Sequence, residues 1–144
     1  MSAPAGDLPL QYDPSPAVET RAALAREIND FNARRFPFAS TRFAFLSRDA
    51  SGALNAGVMG TMSWGWLFIE AVWVSDALRG RGMGRVLMAA AERHAREAGC
   101  RAVWLDTFQA REFYLALGYE VFGVLDDYPP GQQRTFMRKS LAPA

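Results

Sequence analysis

A chain of 144 residues, half of them apolar and 22% charged, is the size of one domain with a real core and lacks the polar, charge-rich makeup of a disordered protein. Sixteen basic against fifteen acidic residues leave a net charge of +1, which excludes a global field that collects nucleic acid or anionic lipid, so any anion site must be local. One cysteine, Cys100, excludes an internal disulfide, and no spacing of Cys and His suits a metal; a reducing cytoplasm and a metal-free site are expected.

The first fifteen residues, with Pro4, Asp7, Pro9, Asp13 and Pro14, lack the basic start and apolar stretch of a signal peptide. No apolar run is long enough to span a bilayer, so no membrane partner is expected. This Pro-rich beginning, residues 1–15, is expected to be loosely ordered, with Leu8 to Tyr12 a weak first strand. Ala17 to Phe36 carries Leu24, Ile28 and Phe31 at roughly helical spacing, and Pro37 stops it. Phe43 and Phe45, within Arg42 to Arg48, suggest a strand. Asp49-Ala50-Ser51-Gly52 is a turn, and Leu54 to Met62 completes a hairpin.

Trp66 to Val74 is apolar at every position except Glu70, the pattern of a central strand covered on both faces. A glycine-rich turn follows at once. From Met83, the residues Met83, Leu87, Ala90 and His94 fall on one helical stripe, with Arg85, Glu92, Arg93, Arg96 and Glu97 mostly elsewhere and Gly99 as the stop. Ala102 to Leu105 is a short strand and Ala110 to Leu117 a short helix ended by Gly118. Tyr119 to Leu125 is a further strand, Pro129-Pro130-Gly131 a loop, and Arg134 to Leu141 the last strand. The order indicates a single α/β domain over residues 1–144 with a mixed sheet.

A buried strand ending at Val74, a short connection, glycines in alternate positions and then a helix make a turn whose unpaired backbone N–H groups hold phosphate. Glycine lets the main chain approach a ligand with no Cβ in the way, and Arg79, Arg81 and Arg85 add charge nearby. A pyrophosphate is the natural guest. The spacing fits neither the dinucleotide fingerprint nor the nucleotide P-loop. The alternative is a tight structural turn with solvated arginines.

Arg79-Gly80-Arg81-Gly82-Met83-Gly84 resembles the acetyl-CoA motif of the GNAT superfamily of N-acetyltransferases, Arg/Gln-x-x-Gly-x-Gly/Ala after a central strand. Some thirty residues on, Phe113-Tyr114-Leu115-Ala116-Leu117-Gly118-Tyr119 stands where the family has an aromatic-Tyr pair and then Gly-aromatic. The resemblance runs from about Leu54 to Leu141 and looks closest to the small single-domain bacterial members. It implies the GNAT fold, a mixed and mostly antiparallel central sheet flanked by helices, with acetyl-CoA as cosubstrate. The implied cofactor set is Val72, Val74, Arg79, Gly80, Arg81, Gly82, Met83, Gly84 and Arg85. Family members commonly have an asparagine after the strand that ends near Asp106; here Thr107-Phe108-Gln109-Ala110 stands, with Gln109 as the substitute contact to pantetheine.

The mechanism so implied is direct attack of a neutral primary amine on the thioester. An alkyl amine with a pKa of about 10.4 is mostly protonated at neutral pH, so a proton acceptor helps. Glu70, the one charge in its apolar strand, is the candidate, and the other reading is a structural glutamate paired with an arginine of a neighbouring strand or accepting hydrogen bonds. The departing thiolate profits from a proton donor, for which Tyr114 matches the family's tyrosine; the alternative is a core aromatic. Backbone N–H groups near the splayed end of the Trp66 to Val74 strand are the implied receivers of negative charge on the carbonyl oxygen.

His94 reads as a packed core histidine and Cys100 as a small buried residue. Trp64, Trp66 and Trp73, with Met59 and Met62, pack the core, line an acceptor pocket or form a homodimer contact, core packing being the default. Asp126 and Asp127 beside Tyr128 either face a cationic acceptor or are solvated. The expected acceptor is a small-molecule amine. A protein amine, a non-catalytic acyl-CoA-binding module and an unrelated nucleotide-binding domain are the rival readings.

Overall fold

The computed structural model describes residues 4–37 and 39–143. The chain divides into two compact units, Met1–Phe38 and Ala39–Ala144. In the first, one 3₁₀ turn, Ala5–Asp7, precedes helix α1, Val18–Arg35. The helix ends as its sequence requires: the Phe36 N–H reaches the Asn32 carbonyl at 2.7 Å, and Pro37 bars its predecessor from helical backbone. No strand forms between Leu8 and Tyr12. Pro9 has no N–H for a ladder, and Leu10 is 97% exposed, so no buried face holds that segment extended.

In the second unit one six-stranded sheet runs in the order β1-β2-β3-β4-β6-β5, with β1 Thr41–Arg48, β2 Leu54–Ser63, β3 Trp66–Val74, β4 Ala102–Thr107, β5 Glu120–Asp126 and β6 Gln133–Ser140. Helix α2, Met83–Glu97, joins β3 to β4, and α3, Arg111–Ala116, lies between β4 and β5. Only β3 and β4 pair in parallel, as a crossover helix between them dictates; the other four pairings are antiparallel. The turns are built from local chemistry. The Asp49 carboxylate accepts from the Ser51 hydroxyl and from the Ser51 and Ala53 N–H groups, which holds its pKa below the usual carboxylate range. Trp64 and Gly65, at φ +50° and +79°, close β2 onto β3 as a two-residue hairpin turn.

The core lies between the sheet and α2. Val58, Leu67, Val103, Leu105 and Met137 from four strands meet Leu87, Met88, Ala91 and Ala95, all at most 5% exposed. Burying each large side chain of that set contributes about 1.5–3 kcal/mol. The helix is turned from the expected stripe: Leu87, Met88, Ala91 and Ala95 are buried, while Ala90 and His94 are half-buried. His94 packs its ring on Phe43 at 4.6 Å and on Phe45 at 5.8 Å.

Glu92, expected on the solvent face, is buried at 4% exposure, and its two oxygens take the Tyr119 hydroxyl at 2.9 Å and the Lys139 ammonium at 2.8 Å. A charge so placed needs those partners. Cys100 is buried, and burial pushes its thiol pKa up. β3 is not covered on both faces: Leu67 and Ile69 are buried, but Ala71 and Trp73 are exposed. Met59 and Trp64 are likewise more than 40% exposed, so of the residues suggested for the core only Met62 is fully within it. No helix among the described residues is long and apolar enough to cross a membrane.

Candidate active site

The turn after β3 runs Ser75 to Gly82. A 3₁₀ turn, Asp76–Leu78, leads into Gly80 and Gly82 at φ +77° and +79°, backbone that side chains with a Cβ rarely adopt. A Cβ at either position would meet nothing within 4 Å, so both glycines border open space. Gly84 has a different reason: a Cβ there would stand 3.0 Å from the Phe113 ring, so its lack of a side chain lets α2 approach α3. No side chain caps α2, and the first hydrogen bond returning to the loop runs from the Val86 N–H to the Gly82 carbonyl at 3.2 Å. The helix N-terminus is therefore free to face an anion.

Arg79 is spent on the loop itself, its Nε donating to the Val74 carbonyl at 3.0 Å and its Nη1 pairing with Asp76 at 2.8 Å. Arg81 and Arg85 are exposed beside the turn. Val74, Gly80, Gly82, Met83, Gly84 and Arg85 line one open cavity of about 440 Å³, closed on one side by Phe113.

β3 and β4 pair only at Trp66, Leu67 and Phe68, opposite Ala102, Val103 and Trp104. Beyond Phe68 they part, and the β4-facing edge of β3 from Ile69 to Val74 is left without a strand partner. A β-bulge marks the point of departure: Met59 pairs with Ala71 and Gly60 with Ile69, so Glu70 is the extra residue. It flips the alternation of β3, and for that reason Ala71 and Trp73 face outward.

The gap between the strands opens into a second cavity, about 290 Å³, lined by Glu70, Ala71 and Val72 of β3, Asp106 to Ala110 after β4, Tyr114 of α3 and Arg134 of β6. Both acid–base candidates, expected from positions 44 residues apart, line this one space. Glu70 Oε1 accepts a hydrogen bond from the Thr61 hydroxyl and sits 3.9 Å from the Arg42 guanidinium. The structural alternative for Glu70 is thus realised in part, while its carboxylate still borders the cavity. Tyr114 is 7% exposed, and burial raises its pKa, so the hydroxyl stays protonated. Gln109 lines the same space; Thr107 Oγ1 accepts from the Gln109 and Ala110 N–H groups and so sets the start of α3.

Sequence reading missed Asp106 and Arg134. Arg134 Nη1 donates to Asp106 Oδ1 at 2.7 Å, and the guanidinium lies 4.0 Å from the Tyr128 ring centre and 5.2 Å from that of Phe108. The pair is a diagonal one across β4 and β6, where Asp106 faces Phe136 and Thr107 faces Thr135. Only that register, set by chain 28 residues apart, joins them; the Asp126-Asp127-Tyr128 cluster was the one hint in that neighbourhood.

Comparison with known proteins gives the family. The model of the acetyltransferase (GNAT) family matches residues 10–119. This chain belongs to the GNAT acetyltransferases. Blasticidin-S acetyltransferase of Streptomyces morookaense is 36% identical over 115 residues, covering 75% of this chain and 85% of that protein. A crystal structure of an Agrobacterium tumefaciens protein superposes with a TM-score of 0.88 at 26% identity, over 93% of this chain and all of the other. A crystal structure of nourseothricin acetyltransferase matches at TM-score 0.61 and 28% identity, over 70% of this chain and 66% of that one. The GNAT chain described here is an acyltransferase of the N-acetyltransferase type.

Proposed function

We propose that this GNAT protein moves an acetyl group from acetyl-CoA to the primary amine of a small molecule by direct attack on the thioester. The single observation that carries the reading is the gap between β3 and β4, which sets Glu70 and Tyr114 on one cavity beside an uncapped, glycine-lined turn. The turn suits a diphosphate: two glycines at positive φ leave the main chain bare, and Arg81 and Arg85 bring charge. Val72, Val74, Arg79, Gly80, Gly82, Met83 and Gly84 complete the proposed cofactor set, and Gln109 adds a side chain toward the pantetheine arm. Arg79 serves there by shaping the loop.

Acetyl-CoA supplies the activated acetyl group when bound. Glu70 takes the proton from the ammonium, directly or through water, and the freed nitrogen bonds to the acetyl carbon as its bond to sulfur breaks. The unpaired amides of β3 near Val72 and Val74 receive the charge that collects on the carbonyl oxygen. Tyr114 gives its proton to the departing sulfur and regains one, through solvent, as the nitrogen sheds its second proton to become the amide; its raised pKa keeps the hydroxyl protonated at neutral pH until then. Cys100, buried and without a disulfide partner, has no part in the scheme.

Small-molecule acceptors are favoured by two relatives, named blasticidin-S acetyltransferase and nourseothricin acetyltransferase, and the family match, crossing both compact units, supports one acetyltransferase domain over 1–144. The lone thiol suits a cytoplasmic site. The test is thiol release from acetyl-CoA across a panel of amines. Release that depends on one class of amine is expected; acetyl-CoA binding with no release from any amine would make the chain a binding module.

A further inference from the structure

The acceptor reading of the Glu70–Tyr114 cavity leaves one of its walls unexplained. Arg134 is the cation among the residues lining that cavity, which also holds the carboxylates of Glu70 and Asp106. Its guanidinium is held in plane by the Asp106 contact at 2.7 Å and by the rings of Tyr128 and Phe108, so its hydrogen bonds must leave through its edges. Nη1 is used on Asp106. Nε is buried, with no hydrogen-bond partner among the described residues. Nε belongs to the side-on edge of the guanidinium, the edge that grips a carboxylate with two parallel bonds. A buried donor on a permanent cation is costly to leave unmade, and the stacking on Tyr128 and Phe108 holds it there without satisfying it.

We propose that Arg134 determines acceptor specificity by binding a carboxylate carried on the same molecule as the amine. The inference rests on the proposed function for its amine and deepens it: the acceptor is an amino acid or a compound with an amino-acid-like head. Glu70 meets its ammonium end, and Arg134, oriented by Asp106, meets its carboxylate. Tyr128, half exposed, packs its ring on the Arg134 guanidinium and holds it in place.

The test measures kcat/KM with acetyl-CoA for matched pairs of amines: phenylalanine and phenethylamine, lysine and 1,5-diaminopentane, 4-aminobutyrate and propylamine. The wild-type protein should prefer the carboxylated member of at least one pair by roughly 10- to 100-fold, mainly through KM, the range expected of a hydrogen-bonded charge. Arg134→Met should bring that ratio close to one. Arg134→Lys, which keeps a cation beside Asp106 but lacks the fork, should reduce it as well and covers the case in which the methionine variant is unstable.

Wild-type preference for the uncarboxylated member in every pair, or a ratio unchanged in the lysine variant, would overturn the proposal while leaving acetyl transfer intact. Calorimetric binding of the same pairs to the CoA-loaded protein gives a readout independent of turnover, and equal affinities within every pair would overturn it too. Failure of acetyl-CoA itself to bind is a separate result, which counts against the acetyltransferase site rather than against Arg134.

Discussion

Glu92 shows how far a single side chain can depart from its helical pattern when partners exist. It lies among the apolar residues of α2, where an unpaired carboxylate would be expelled, and is kept there by Tyr119 and Lys139. Tyr119→Phe removes a hydrogen bond to a charged group and should cost about 1.5–3 kcal/mol at neutral pH, measured by denaturant unfolding. The pH limb follows from the same contact. Burial first, and the Glu92 charge second, raise the Tyr119 pKa above its ordinary value near 10. The folded state therefore favours the protonated phenol, so this stability is complete below pH 10 and is lost as pH climbs beyond it, where the unfolded chain ionises first. The phenylalanine variant should unfold with a flatter alkaline limb; an equally steep one would assign the loss to other groups. At the proposed reacting centre, Tyr114→Phe should lower kcat by about 10²-fold or more with acetyl-CoA affinity retained, as read by steady-state kinetics and calorimetry. Glu70→Gln should slow turnover most at lower pH, where least free amine is present, and an unchanged profile would leave Glu70 to its contacts with Thr61 and Arg42.

At the scale of elements, the sheet and α2 hold each other and thereby hold the site. Met88, wholly buried between α2 and the sheet, anchors that contact. Met88→Ala should cost about 2–5 kcal/mol through lost burial and a residual cavity, seen as a lower denaturant midpoint with an unchanged slope. The strands and helices of residues 39–143 lie within a residue or two of the limits their sequence suggests, because Gly99 and Gly118 and the turn at Asp49 are local signals. Other features are not local. Glu92 looks solvent-facing until Lys139 arrives from β6. Trp73 looks internal until the extra residue at Glu70 turns it outward. Asp106 and Arg134 look unrelated until β4 and β6 are in register. Leu8 to Tyr12 fails for the opposite reason: alternating apolar residues suggest a strand, but Pro9 has no N–H for a ladder and the exposed Leu10 gives the segment no buried face.

For the whole molecule, the proposed function rests on a cofactor diphosphate at the turn after β3 and an amine in the gap where β3 and β4 part. The turn was the most legible part of the site in the sequence, since glycine spacing after a strand has few other uses; the acceptor side was the least, because residues from β3, β4, α3 and β6 build it. The most direct measurement is thermal unfolding with and without acetyl-CoA, on the wild-type protein and on Arg81→Glu/Arg85→Glu, which reverses charge beside the turn without touching its glycines. At about 100 times its Kd, acetyl-CoA should stabilise the wild-type protein by about 2.7 kcal/mol, on the order of 10 °C in Tm, and the charge-reversed protein by far less at the same concentration. An unmoved wild-type Tm at millimolar acetyl-CoA, or an equal rise in both proteins, would contradict a diphosphate site at this turn.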